Sequence, residues 1–281
     1  MKRCVLFLLT GPAHLPYLAV ALDTLRRHWS GDTLVFAWDE SFELAQKIAQ
    51  DPRIQARCIK RNPAYRGKNQ QELDKMRIVK NLNEYDEVMY VDADVIFAKD
   101  PTLFFDHISE YGFVATQFAD WTMNVRTARN RVSNLLRFPE IPRVCVEKAL
   151  EPHRPSYNSG VFGSRPGNAI LDVWYDWTYA SREIFISGET CLHPIASQFE
   201  ISTLMRGIWN CSPKFKADDI PDTSVCLWHG HGDSFTRPNK SMKGYDIWWP
   251  NFLEVIEKNL GHIQTWIDSI DHKFLKELLK S

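Results

Sequence analysis

Four short strand-like runs, three of them apolar, alternate with helical patterns over the first 91 residues, and this alternation narrows the possible folds more than any other feature. Cys4–Leu9 ends in Thr10-Gly11-Pro12, and Leu15–His28 follows with Leu18, Val20, Ala21, Leu22 and Leu25 at helical spacing. Thr33–Ala37 predicts a second strand, Phe42–Ala49 a short helix and Arg53–Ile59 a third strand. Residues 60–72 are polar and predict a loop, and Leu73–Leu82 predicts a helix with Met76, Val79 and Leu82 on one face. Val88–Val91 is then a fully apolar strand. Strands that are apolar on both sides must be covered on both sides. The pattern therefore predicts an α/β fold with a mostly parallel central sheet and helices on both faces. Ligands of such sheets bind at the carboxyl ends of the strands.

Beyond residue 94 the rhythm changes. Gly112–Gln117 predicts a strand and 119–152 a long excursion rich in Arg, Asn and Pro. Ser156–Gly163 predicts a strand interrupted at Asn158-Ser159-Gly160. Ile170–Ala180 and Gln198–Arg206 predict helices, and Ser224–Trp228 a strand running into His229-Gly230-His231-Gly232. From Ile263, the residues Trp266, Ile267, Ile270, Phe274 and Leu278 mark an amphipathic tail helix, expected to dock on the domain. The expected division is 1–245 for the main domain and 246–281 for the helical extension.

Composition excludes several classes. In 281 residues, 34 Lys and Arg meet 35 Asp and Glu, so no global positive field favours nucleic acid. The six cysteines form no CxxC pair, which argues against a zinc knuckle or a redox motif. No run of 18 apolar residues occurs and the apolar start is too short for a signal peptide, so a cytoplasmic location is expected. Peripheral membrane contact by the tail is the less favoured alternative to docking.

Asp92-Ala93-Asp94 carries the most chemistry. Two carboxylates at the end of a buried strand repel each other unless a cation joins them. Hard ions such as Mn²⁺ or Mg²⁺ take carboxylate oxygens and leave positions for phosphates.

Tyr90-Val91-Asp92-Ala93-Asp94-Val95-Ile96, with Asp100-Pro101 and Leu103-Phe104, resembles the Asp-x-Asp signature of nucleotide-sugar glycosyltransferases of the GT-A fold. It is most similar to family eight, which holds glycogenin and the lipopolysaccharide galactosyltransferases. The resemblance implies a GT-A, Rossmann-like sheet with a helical C-terminal tail. It also implies a metal-dependent transfer of a sugar from a nucleotide diphosphate, a UDP-sugar favoured, to a glycan, lipid-linked or protein hydroxyl, with retention at the anomeric carbon. Asp92, Asp94 and His229 would hold Mn²⁺ or Mg²⁺, with His231 a rival ligand. Lys75, with Arg77 and Lys80 as rivals, would reach the donor. Asn158, Ser159 and Gly160 would line the sugar pocket, and Thr10 and Tyr17 would sit by the nucleoside. Gln198 and Glu200 would stand near the reacting carbon, Ser197 replacing the family's Asp, with Glu189 an upstream alternative. Trp209-Asn210 resembles a structural Trp-Asn pair, and Arg237-Pro238 a phosphate-binding Lys-Pro. Two other readings compete: a non-catalytic nucleotide-sugar-binding protein on the same fold, and a haloacid dehalogenase-like phosphatase.

Overall fold

The computed structural model describes residues 1–49, 51–61, 69–205, 207–216, 218–231 and 243–258. Its first half follows the alternation: β1 (Arg3–Leu9), α1 (Leu15–His28), β2 (Asp32–Trp38), α2 (Phe42–Ile48), β3 (Ile54–Ile59), α3 (Asn69–Asn81) and β4 (Glu87–Val91). β5 (Val95–Phe97), α4 (Thr102–Tyr111), β6 (Phe113–Thr122), α5 (Arg126–Ser133), α6 (Arg143–Ala149) and β7 (Pro155–Ser164) come next. α7 (Ala169–Ala180), α8 (Ser187–Gln198), β8 (Ser202–Leu204), β9 (Leu227–His229) and α9 (Lys243–Lys258) complete the described chain. The main sheet has the order β3-β2-β1-β4-β7-β6-β8, and β5 and β9 form a separate antiparallel pair. β3, β2, β1 and β4 run parallel, while β7 is antiparallel to both β4 and β6.

The period of two in β1 shows why both faces need helices. Val5, Phe7 and Leu9 enter one core with α1, α4 and α9, whereas Cys4, Leu6 and Leu8 enter the other with α3, α7 and α8. Each such side chain contributes roughly 1.5–3 kcal/mol by leaving water.

The chain departs from expectation in three places. The helix expected at Gln198–Arg206 is instead α8, ending at Gln198, and Ser202–Leu204 is a strand parallel to β6. Intrinsic propensity hides α8, because Gly188, Thr190, Pro194 and Ser197 are poor helix formers. Burial overrides it: ten of its residues are buried. Pro194 has no N–H for the Thr190 carbonyl, and His193 Nδ1 contacts that oxygen at 3.1 Å instead. His193 Nε2 in turn accepts the Tyr157 backbone N–H at 3.1 Å, tying α8 to β7. Second, the excursion at 119–152 contains α5 and α6, and Ser197 Oγ donates to the Cys145 carbonyl at 2.7 Å. Third, the polar stretch before Leu73 is already helical from Asn69, with Gln70, Glu72 and Asp74 buried.

The boundary expected at residue 245 falls inside α9. Trp248, Phe252 and Val255 of α9 pack in the same core as β1 and α1, and Trp248 stacks on Phe252 at 4.5 Å. The tail helix expected from Ile263 lies outside the described residues. Among the described residues, no helix is long and apolar enough to cross a membrane.

Candidate active site

The turn from β4 to β5 holds Asp92 and Asp94 at the carboxyl edge of the sheet. Antiparallel pairing of β5 with β9 sets His229 opposite Val95, and Gly230 N–H donates to the Asp94 carbonyl at 2.7 Å. His229 Nε2 thereby lies 3.2 Å from Asp94 Oδ1 and 3.9 Å from Asp92 Oδ2. One ligand atom from each of the three residues falls within 4.8 Å of the others.

β7 supplies the third wall. Ala115 pairs with Phe162 but Thr116 with Asn158, so Ser159, Gly160 and Val161 bulge out of the β6 ladder toward the aspartates. The Gly160 carbonyl accepts Asp92 N–H at 2.7 Å. A Cβ on Gly160 would lie 2.6 Å from Asp92 Oδ2 and closer still to His229 Cε1, so only glycine fits.

A directed hydrogen-bond network orients the imidazole. Gly160 N–H donates to Asn158 Oδ1 at 2.8 Å, and Asn158 Nδ2 donates to Glu189 Oε2 at 2.6 Å. Asn210 Nδ2 donates to Asn158 Oδ1 at 3.0 Å and to Thr116 Oγ1 at 2.8 Å. Asn210 Oδ1 is left to accept from His229 Nδ1–H at 2.8 Å. The proton on Nδ1 turns the Nε2 side of the ring toward Asp92 and Asp94, the orientation a metal ligand requires.

Charge is concentrated here, with the carboxylates of Glu72, Asp92, Asp94 and Glu189 set against Lys75, Arg131 and the His229 ring. Lys75 is buried, with Nζ 3.0 Å from Asp92 Oδ1 and 3.0 Å from Glu72 Oε1. Burial opposes its charge, but Asp92 and Glu72 raise its pKa above the usual lysine range. Ser159 Oγ donates to Glu72 Oε2 at 2.8 Å, and Tyr90 OH donates to Asp92 Oδ1 at 2.8 Å. Burial pushes the Asp92 carboxyl up, with Lys75 and His229 pulling against it. Burial also opposes charge on Asp94, yet the His229 ring in its protonated form, by charge and a hydrogen bond from Nε2–H, holds its carboxyl well below the usual range. Glu189 pairs with Arg131, and burial raises its carboxyl. His231 packs against the His229 ring at 3.7 Å, and burial pushes its pKa well down.

Of the residues singled out in the sequence, Asp92, Asp94, His229, Lys75, Asn158, Ser159 and Gly160 converge on one cluster. Arg77 pairs with Asp74 at 2.8 Å and Lys80 with Asp172, so neither rival of Lys75 points inward. Thr10 directly follows the end of β1 at the same sheet edge. Tyr17 is buried against Trp248 at 5.4 Å. Gln198 and Glu200 are exposed, and Gln198 Oε1 faces Cys145 Sγ of α6. Gln198 sits nine residues beyond Glu189, about 13 Å along α8, so the structure does not bring the pair into the cluster. Arg237-Pro238 lies outside the described residues. Sequence reasoning missed Glu72, Thr116, Arg131 and the orienting role of Asn210. Glu72 stood one helical turn before Lys75, a signal obscured by reading its segment as a loop.

The fold is a GT-A architecture, similar to those of solved glycosyltransferases. A galactosyltransferase, LgtC, solved with donor and acceptor sugar analogues, matches with a TM-score of 0.60 at 12% identity, covering 89% of this chain and 95% of that one. Mouse xyloside xylosyltransferase 1 matches at 0.54 and 13%, covering 83% of this chain and 99% of that one. The glycosyltransferase GlyE of Streptococcus pneumoniae matches at 0.61 and 16%, covering 92% and 63% respectively. No family model and no curated protein matches the sequence.

Proposed function

We propose that this chain is a metal-dependent glycosyltransferase that moves a sugar from a nucleotide-diphosphate donor, a UDP-sugar favoured, to an acceptor hydroxyl. The observation that carries the reading is the Asp92–Asp94–His229 group with its imidazole oriented by Asn210. Two carboxylates and an imidazole suit Mn²⁺, and Mg²⁺ less well. Bound there, the ion would neutralise charge developing on the leaving diphosphate.

The protein's own groups divide the remaining work. Lys75 opposes protonation of Asp92 and, being buried between two carboxylates, acts as their counterion rather than as a reaching donor contact. Asn158, Ser159 and Gly160 form the wall against which the transferred sugar would lie. Glu189 is the carboxylate that Asn158 connects to this wall. We place it, rather than Gln198 or Glu200, nearest the reacting carbon. Retention at that carbon belongs to the same reading and rests on the resemblance to family eight.

A thermal-shift screen of UDP- and GDP-sugars with and without Mn²⁺ tests the proposal. Stabilisation by one nucleotide sugar only with Mn²⁺, together with metal-dependent donor hydrolysis, supports it. No response to any donor sinks it.

A further inference from the structure

A second feature stands beside the metal-binding group. β6 pairs Gln117 with Tyr157 and then Thr122 with Pro155, so the four residues Phe118–Trp121 stand opposite Ser156 alone. The chain leaves the ladder there, and such departures re-aim side chains. Phe118 and Trp121 meet edge to face at 4.9 Å. Phe215, from the loop after Asn210, tilts against both, at 5.7 and 5.9 Å. All three rings are half-buried. None lies parallel to another, so no two of the rings stack face to face and each edge-on contact covers one face of one ring. Phe118 also meets His231 edge-on at 4.9 Å, and His231 rests on His229. The aromatic group therefore begins two ring contacts from the candidate metal ligand, on the same edge of the sheet.

We infer that Phe118, Trp121 and Phe215 form the floor of a subsite for a pyranoside, the sugar that would receive the transferred residue. A pyranose has a C–H face and a rim of hydroxyls. Its C–H groups carry partial positive charge and suit the negative face of an aromatic ring. The exposed Lys214, with Nζ 5.2 Å from the centre of the Phe215 ring, offers donors to the rim. A lipid chain would require a longer apolar trough than three rings. The acceptor role of this sugar rests on the glycosyl-transfer reading; the stacking of a sugar on these rings does not.

The test uses the full chain labelled with 5-fluorotryptophan, without metal or donor. Trp121 is one of ten tryptophans, and its ¹⁹F resonance is identified by its loss in Trp121→Phe. Methyl α- and β-pyranosides of galactose, glucose and N-acetylglucosamine are titrated in turn. At least one is expected to shift the Trp121 resonance saturably. Phe215→Ala is expected to weaken that binding about tenfold, and Phe215→Tyr to retain it. A Trp121 resonance unmoved by every sugar to its solubility limit overturns the inference, as does equal binding by a Phe215→Ala protein with an unchanged melting temperature. Failure of the glycosyl-transfer reading shows separately, as absence of donor hydrolysis by the unaltered protein.

Discussion

Asn210 Oδ1 accepts the Nδ1 proton of His229 at 2.8 Å, so a side chain on a loop sets which face of the imidazole is presented to Asp92 and Asp94. Asn210 is itself held by Thr116 and Asn158, from two different strands. Removing it frees the tautomer and leaves the Thr116 and Asn158 side chains short of a partner. Asn210→Leu should weaken Mn²⁺ binding by about 10–100-fold, as loss of a residue orienting a metal ligand does. Mn²⁺ titration followed by electron paramagnetic resonance measures this. Affinity within twofold of the parent would show that Asn210 does not orient the ring.

Gly160→Ala tests the closeness of β7 to the aspartates. The added methyl would meet Asp92 Oδ2 at 2.6 Å and crowd His229. Neither neighbour can yield without leaving its hydrogen bonds, so overpacking should cost about 1–3 kcal/mol. Urea denaturation should show the loss, and metal-induced stabilisation should disappear with it. Unchanged stability and unchanged Mn²⁺ response would contradict the geometry.

Lys75→Met leaves Glu72 and Asp92 buried without their shared counterion. Breaking a buried pair from one side costs about 3–5 kcal/mol. The penalty should be largest near neutral pH and shrink in acid, where carboxylates left unpaired take up protons. Chemical denaturation of parent and variant at pH 7 and pH 5 compares the two gaps. A gap that widens in acid would refute the counterion role.

His193 predicts a pH dependence of stability for the unaltered chain. Burial lowers its pKa from 6.5 to about 4. Between those values the unfolded chain binds the proton and the folded chain does not. The contribution is therefore fully present above pH 6.5 and is lost as pH falls toward 4, up to about 3 kcal/mol. His193→Gln should be less stable at pH 7 and show a flatter profile between pH 7 and 4.5 in urea melts. An equally steep profile would assign the dependence to other groups.

Much of the fold was legible because its first half is built from local signals. The apolar runs of β1, β2 and β4 and the spacing in α1 reflect a sheet buried on both faces, and each was readable from its own residues. The second half was less legible where burial outweighs propensity. α8 carries Gly188 and Pro194 inside a helix because packing and the His193 bonds compensate, and no window of its sequence announces that.

The candidate site divides along the same line. The chemical identities of Asp92, Asp94, Asn158, Gly160 and His229 were visible in sequence, since a carboxylate pair at a strand end or a glycine within a strand has meaning without a partner. Their arrangement was not. Glu72 became part of the site only because its helix begins at Asn69, and Arg131 because α5 places it against Glu189. Gln198 and Glu200 had the expected order along the chain, but both are exposed and Gln198 lies beside Cys145 of α6. Sequence determines which groups are available and which segments must be buried, because both depend on the residue alone or on near neighbours. The direction of the hydrogen bond from His229 Nδ1–H to Asn210 Oδ1, or the sharing of Lys75 between Glu72 and Asp92, depends on distances between segments far apart in the chain. Only the packed structure decides those.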